Sequence, residues 1–332
     1  MGHIRLMLCL LSAGFVKSSV SQLRTFNVSS KRMERTEASE YCTKMGMKLV
    51  TVYDEDDVKF VVNLGNSNIG VWVGLYRTTC NSDTDADPPK CPATPNTMRD
   101  CSDELPFKCS QSSNETGVDL NWCAARQYCQ YHSLGDLASS ESESKDRLWI
   151  LGEITDDWKW EDGGCSTYRE WEENHSLNGN CDAAVTSNYK LKSHGDGSRI
   201  PPMCSKGDLR IVVVNKTRLT WKQALDYCDK KHSGLLQILT PEHQKSVELW
   251  LSNTGYTETF WVGLRQSRVF GFWIWKDTMV NSSNWANGEQ PVMPLSHQCG
   301  VIQAPGYTWR DHNCLHPLPF ICQEMIVRLN KD

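Results

Sequence analysis

The residues with the most chemistry to offer in this 332-residue chain are its 15 cysteines. Thiols can hold zinc, act as nucleophiles or form cross-links. A zinc site wants closely paired cysteines, but C-x2-C does not occur, and the cysteines alternate with helix and strand signals. Asp83-x-Asp85-x-Asp87 spaces its acids like a calcium loop. It lacks the glycine at the sixth place and the glutamate at the twelfth, so it reads as a polar loop. Asp54-Glu55-Asp56-Asp57 reads as the acidic start of a helix rather than a metal site. G-x-S-x-G, H-E-x-x-H and P-loop strings are missing, and the nine histidines are scattered. With no nucleophile–base constellation, the chain is read as not an enzyme. Cross-linking is what remains for the cysteines.

Cross-links need an oxidising compartment. Residues 1–21 have the form of a secretory signal, with Arg5 at the start, an apolar run from Leu6 to Val16, and Ser19-Val20-Ser21 before a cleavage point at Gln22. Removing them removes Cys9 and leaves an even number of cysteines. Asn-x-Ser/Thr sequons at Asn27, Asn114, Asn174, Asn215 and Asn281 are candidate glycosylation sites. Beyond residue 22 no apolar stretch is long enough to span a bilayer. The expectation is a secreted, extracellular glycoprotein without a membrane span; the alternative is a fragment of a longer receptor. A net charge of −5 with no basic block argues against nucleic acid as partner.

The elements that must position these groups recur along the chain. A-x-x-Y-C occurs at Ala38–Cys42, Ala125–Cys129 and Ala224–Cys228. Each copy is followed by a leucine (Leu49, Leu137, Leu236) and then by a tryptophan among apolar residues (Trp72, Trp149, Trp261). Trp158-x-Trp160 and Trp273-x-Trp275 follow, each before a lone tryptophan, Trp171 or Trp285. In the third copy Trp221, Ala224, Leu225 and Cys228 share one helix face behind the N-cap Thr220. Ile211–Val214 and Trp273–Trp275 read as strands, and Thr240-Pro241-Glu242 starts a second helix. Three units of strand, helix, helix, strands and long loops are expected.

The helix ending in Tyr-Cys, the W-V-G-L strand, W-x-W, Asn-Trp, and the late C-x14-C-x7-C ending Pro319-Phe320-Ile321-Cys322 together resemble the C-type lectin-like domain. The likeness covers most of residues 23–324 and implies an α+β fold: tandem domains, each with two helices, small antiparallel sheets and a long loop region, stapled by disulfides. The arrangement is similar to macrophage-mannose-receptor-like tandem lectins. It implies a shortened domain at 22–110, a degenerate one at 112–206, a third at 208–324 and a tail at 325–332. The implied bridges are Cys228–Cys322, Cys299–Cys314, Cys129–Cys204, Cys42–Cys109 and Cys91–Cys101. For the four cysteines left over, Cys165–Cys181 and Cys80–Cys123 is the preferred pairing, although spacing does not fix it.

The resemblance further implies extracellular recognition of glycans or glycoproteins through a bridging Ca2+, with a protein ligand as the competing partner. Sugar-binding members carry Glu-Pro-Asn or Gln-Pro-Asp after the lone tryptophan, a Glu before the next cysteine, and Asn-Asp after a late tryptophan. Here the triplet is Glu289-Gln290-Pro291, or Gln290-Pro291-Val292 with an insertion; the Glu position is His297; and Trp309-Arg310-Asp311 ends the site. The candidate sugar-binding residues are therefore Asn287, Glu289, Gln290, Trp309, Arg310 and Asp311, with Glu289 and Asp311 as candidate metal ligands. Arg310 stands where an amide oxygen belongs, repels a divalent ion, and is expected to pair with Glu289 or Asp311. Glu172-Glu173 after Trp171 is expected to be a solvated loop.

Overall fold

A computed structural model describes residues 21–329, apart from 67, 80–87, 140–146, 174–179, 277 and 281–283. The signal segment, Asp83-x-Asp85-x-Asp87, Cys80, Asn174 and Asn281 lie outside the described residues. No described helix is long and apolar enough to cross a membrane.

The first unit opens with β1 (Thr25–Val28), α1 (Arg35–Lys44), β2 (Lys48–Leu49), α2 (Glu55–Gly65) and β3 (Val71–Arg77). Glu34 and Glu37 cap α1 reciprocally, and the helix buries Ala38 and Cys42. Asp54 caps α2 by accepting from the Asp57 N–H at 2.9 Å, so the acidic run is a helix start. Next come β4 (Lys90–Ala93), β5 (Thr97–Asp100), α3 (Trp122–Tyr131), β6 (Trp158–Trp160), β7 (Asp182–Val185), β8 (Leu191–His194) and β9 (Met203–Lys206). Strand β9 returns antiparallel between β1 and β2, and a second sheet runs β6-β3-β7-β8.

The second unit comprises β10 (Leu209–Leu219), α4 (Trp221–Lys231), α5 (Pro241–Thr254), β11 (Thr259–Gln266), β12 (Trp273–Trp275), β13 (Thr278–Met279), β14 (Cys299–Gln303), β15 (Thr308–His312) and β16 (Leu318–Met325). Strand β16 returns beside β10, and β11 pairs with β12, β14 and β16. Thr220 and Thr240 cap α4 and α5. The glycine of W-V-G-L has the same task in both units. A Cβ on Gly74 would lie 2.8 Å from the Leu49 carbonyl, and one on Gly263 would lie 3.1 Å from the carbonyls of Leu235 and Leu236. Their N–H groups donate to Val50 and Leu236, each at 2.8 Å.

Cys228–Cys322, Cys299–Cys314 and Cys91–Cys101 are bonded. The other implied pairs are corrected. Cys42 bonds Cys204 rather than Cys109, and Cys109 bonds Cys129, which therefore does not reach Cys204. Cys123 bonds Cys165, which excludes Cys165–Cys181 and Cys80–Cys123; Cys181 is also disulfide-bonded. The physical reason is strand pairing across the expected boundary at 110–112. Asn27 faces Cys204 in the β1–β9 ladder, and Leu75 faces Trp160 in the β3–β6 ladder. Helix α3 carries the middle A-x-x-Y-C copy on a segment that leaves the sheet after Arg77 and rejoins it at Trp158, Arg77's cross-strand partner. That segment has its own small core around Phe107, Leu120, Trp122 and Trp149.

The two units share one apolar core. Phe60 of α2 packs at a tilt against Phe26 and stacks on Trp250 of α5, with ring centroids 4.4 and 6.4 Å away. Beside it, Arg210 bridges Asp54 at 2.5 Å and Glu324 at 2.8 Å, while Glu324 also meets His232 at 2.6 Å. Burial opposes ionisation of Glu324, but Arg210 and His232 outweigh it and hold its carboxyl at about 2, below the ordinary 4.5.

Two outcomes test this architecture. Non-reducing peptide mapping is expected to link Cys42 to Cys204 and Cys109 to Cys129; a peptide joining Cys42 to Cys109 would restore the three-unit arrangement. A depressed folded-state pKa gives stability that is complete above about 4.5 and disappears as pH falls through about 2. Unfolding free energy should therefore drop on the order of 3 kcal/mol across that window through Glu324. E324Q, measured by urea unfolding at each pH, should flatten that part of the curve.

Candidate functional site

Four tryptophans build the platform of the long loop. Trp273 and Trp275 point inward from β12, Trp309 from β15, and Trp285 closes the loop between them. Trp285 packs on Trp273 and Trp309 at 4.9 and 5.8 Å, and Trp275 meets Trp309 at 5.2 Å. These near-perpendicular contacts favour the edge of one ring against the face of another. Backbone bonds fix the approach: Trp309 N–H donates to Asn284 at 2.8 Å, and Ala286 N–H donates to Trp309 at 3.0 Å.

Two glutamines that the sequence did not single out hold the platform. Gln244 of α5 accepts from Trp309 Nε1 at 2.9 Å, in a buried setting. Gln266 Nε2 donates to the carbonyls of Gly271 at 2.7 Å and Pro291 at 3.3 Å, and Trp273 Nε1 donates to Pro291 at 2.9 Å. Ser296 Oγ donates to Gln266 Oε1 at 2.6 Å. The loop before β12 and the long loop are thus tied side by side. Gln266 lies on a strand whose other buried residues are apolar, and that mismatch was the available signal; Gln244 shares its buried helix face with His243 and Ser246 and gave none.

Asn287, Glu289, Trp309, Arg310 and Asp311 come together around one depression of about 230 Å3, with Trp285, Ala286 and Pro291. Gln290 is exposed and does not line it. Asp311 is committed elsewhere, since its Oδ2 accepts the His297 N–H at 2.6 Å. Arg310 is exposed and forms no ion pair among the described residues, so the expected bridge to Glu289 or Asp311 is not made. Behind Asp311, His312 and His316 stack at 5.0 Å and share a 2.8 Å hydrogen bond. Burial first, then the charges of His316 and His297, lowers the His312 pKa.

These residues do not fit a calcium ion. Calcium takes six to eight oxygens, several of them anionic. Here the carboxylates are Glu289 and an Asp311 already engaged by a backbone N–H, with the Arg310 guanidinium on the same rim. No group of three or more His, Cys, Asp or Glu side chains able to hold a metal occurs among the described residues. The matching loop of the first unit is also committed. Glu172 accepts from Thr186 Oγ1 at 2.6 Å and Asn188 at 3.3 Å, and lies 3.7 Å from Lys192, so it is not simply solvated. Of the sequons, Asn114 and Asn215 are exposed, while the Asn27 amide oxygen accepts from Tyr41 at 3.2 Å.

A calcium titration followed by tryptophan fluorescence should give no saturable change below millimolar. A micromolar transition would show that the oxygens are completed in a way this geometry does not provide.

Comparison with known proteins gives the family. The model for the lectin C-type domain matches residues 217–324. C-type mannose receptor 2 of Mus musculus is 32% identical over 111 residues, which is 33% of this chain but only 7% of that one. The C-type lectin lectoxin-Lio3 of Erythrolamprus poecilogyrus is 35% identical over 141 residues, 41% of this chain and 87% of its own. Among solved structures, the mouse scavenger receptor C-type lectin carbohydrate-recognition domain aligns at TM-score 0.32 and 25% identity, over 37% of this chain and 90% of that one. With a relative 35% identical and matched over 87% of its length, the chain belongs to the C-type lectin domain family.

Proposed function

We propose that this chain is an extracellular recognition protein carrying two C-type lectin-like units, over residues 23–206 and 208–327, and that the second unit binds a protein ligand without calcium through its long-loop face. The matching strand order of the two units supports the division. The signal-like segment, the sequons and the disulfides support the extracellular setting.

The observation that carries the ligand reading is apolar exposure on the two loops tied by Gln266. Leu295 is 92% exposed, Val269 81%, Phe270 73% and Val292 64%. Three of the four are aliphatic and offer little to a hydroxyl-rich sugar, Phe270 is stacked on Phe272, and all are costly to leave in water. They suit the apolar centre of a protein interface. Arg268 and Arg310 border them with positive charge, favouring a partner with an acidic rim. A second reading rests on the depression beside Asn287, Glu289 and Asp311, which is of a size to take one saccharide ring through direct hydrogen bonds.

Binding to candidate extracellular proteins should persist in EDTA. Phe270→Glu and Leu295→Glu should each weaken it about tenfold or more, as expected for central apolar anchors. Both side chains are exposed, so the fold should be unaffected. Glycan-array signals abolished by EDTA, with no protein partner, would reverse the assignment. EDTA-resistant glycan signals lost in Asn287→Ala would favour the second reading.

A further inference from the structure

A different surface, on the first unit and far along the fold from the long loop, reverses the sign of the protein's charge. A cleft of about 720 Å3 runs between the ends of β2, β6 and β9 and the segment after β16. Its lining includes Arg24, Lys48, Lys159, Lys206 and Arg328 against two carboxylates, Glu161 and Asp162. The whole chain carries −5. Charge of one sign gathered in a concave, low-dielectric surface focuses the local potential.

The cations divide into two kinds. Arg24 is 5% exposed and committed to Asp57 at 3.2 Å and the Thr51 carbonyl at 2.6 Å. Arg328 pairs with Asp208 at 3.1 Å. Lys48, Lys159 and Lys206 are exposed, and no ion pair or side-chain hydrogen bond engages their ammonium groups among the described residues. The two carboxylates offset them only in part, since Glu161 is neutralised by Arg35 whereas Asp162, held by neutral donors, keeps its charge. Glu161 is bound by Arg35 at 2.9 Å and Ser39 Oγ at 2.9 Å, and Asp162 accepts from Thr51 Oγ1 at 2.6 Å and Gly164 N–H at 2.9 Å. Three strands therefore deliver three uncommitted positive charges to one open cleft.

We propose that this cleft binds a sulfated polysaccharide, with Lys48, Lys159 and Lys206 each holding a sulfate ester. Lysine ammonium groups are compact point charges with rotatable donors, suited to tetrahedral oxyanions arriving at varied angles. A linear chain bearing a sulfate on successive sugars meets three separated charges in a way that one small anion does not. The half-buried Tyr76, cross-strand partner of Lys159, adds a ring edge and a hydroxyl for the sugar between the sulfates. The concavity disfavours a flat bilayer as the partner. Single-stranded nucleic acid is disfavoured because the tryptophan in the lining, Trp160, is 6% exposed and offers no face for base stacking. The site uses none of the long-loop residues and stands whether or not the protein-ligand reading holds.

The test uses the full chain and a heparin octasaccharide, measured by calorimetry at about 0.15 M salt and at lower and higher salt. Binding should occur, resist EDTA, and weaken steeply as salt rises. K48Q/K159Q/K206Q should lose at least tenfold in affinity, with a shallower salt dependence, because three ion contacts are removed. The control K222Q/K230Q/K245Q makes the same charge change on exposed helix positions and should bind as the parent does. Equal unfolding midpoints for the two variants would exclude misfolding as the cause. The proposal is overturned if the octasaccharide does not bind, if both variants lose affinity equally, if the desulfated octasaccharide binds as well as the sulfated one, or if a single-stranded oligonucleotide of equal charge binds more tightly.

Discussion

In both units a cysteine of the first helix is bonded to the last strand, and that strand lies beside the first. Cys42–Cys204 closes a span of 162 residues and Cys228–Cys322 one of 94. Once beginning and end are held together, the chain between them is free to wander. The entropy of closing a loop rises only logarithmically with its length, so the larger span costs little more than the smaller. The cross-link also restricts the unfolded ensemble, by about 4–5 kcal/mol for loops of this size in the chain-entropy description. This allows irregular segments to carry the binding surfaces while the sheets stay fixed.

The second organising contact is the junction between units. Leu23 bridges to Leu209, and α2 lies against α5, so the core of one unit continues into the other. The polar edge of the junction is a connected set: Arg24 with Asp57, then Arg210 with Asp54 and Glu324. Arg210 and Arg24 also lie over the Tyr53 ring, at 5.0 and 5.5 Å. Pairs at this depth fix orientation more than they add net stability, because each ion gives up its hydration. The long loop and the basic cleft are thus presented from one body.

Much of this was legible from residue types. The caps Thr220, Thr240 and Asp54 and the strand at Trp273–Trp275 follow from local rules of helix initiation and alternation, whereas Cys228–Cys322 came with the family resemblance. Most of the long-loop residues around Trp309 were located by the same resemblance, which places them between a lone tryptophan and a late Trp-x-Asp. The pairing of strands and cysteines across residues 110–112 was not legible. A-x-x-Y-C at Ala125–Cys129 reports an amphipathic helix with a cysteine on its buried face, and an inserted helix needs that as much as an opening one does. Ladder pairing such as Asn27 with Cys204 leaves no local trace. The basic cleft was hidden for the same reason: Lys48, Lys159 and Lys206 lie more than forty residues apart in sequence, and charge counting along the chain sees only isolated lysines.

The segment between β3 and β6 leaves and re-enters at Arg77 and Trp158, residues already facing each other across a ladder. Its own cross-links Cys91–Cys101 and Cys109–Cys129 are self-contained, and Cys123–Cys165 anchors it to its host. A gap of one ladder rung is what a tight hairpin spans. A short reverse turn between Arg77 and Trp158 would therefore keep the β3–β6 register, at the cost of the contacts the segment makes with the second unit, such as Gln127 with Ser233.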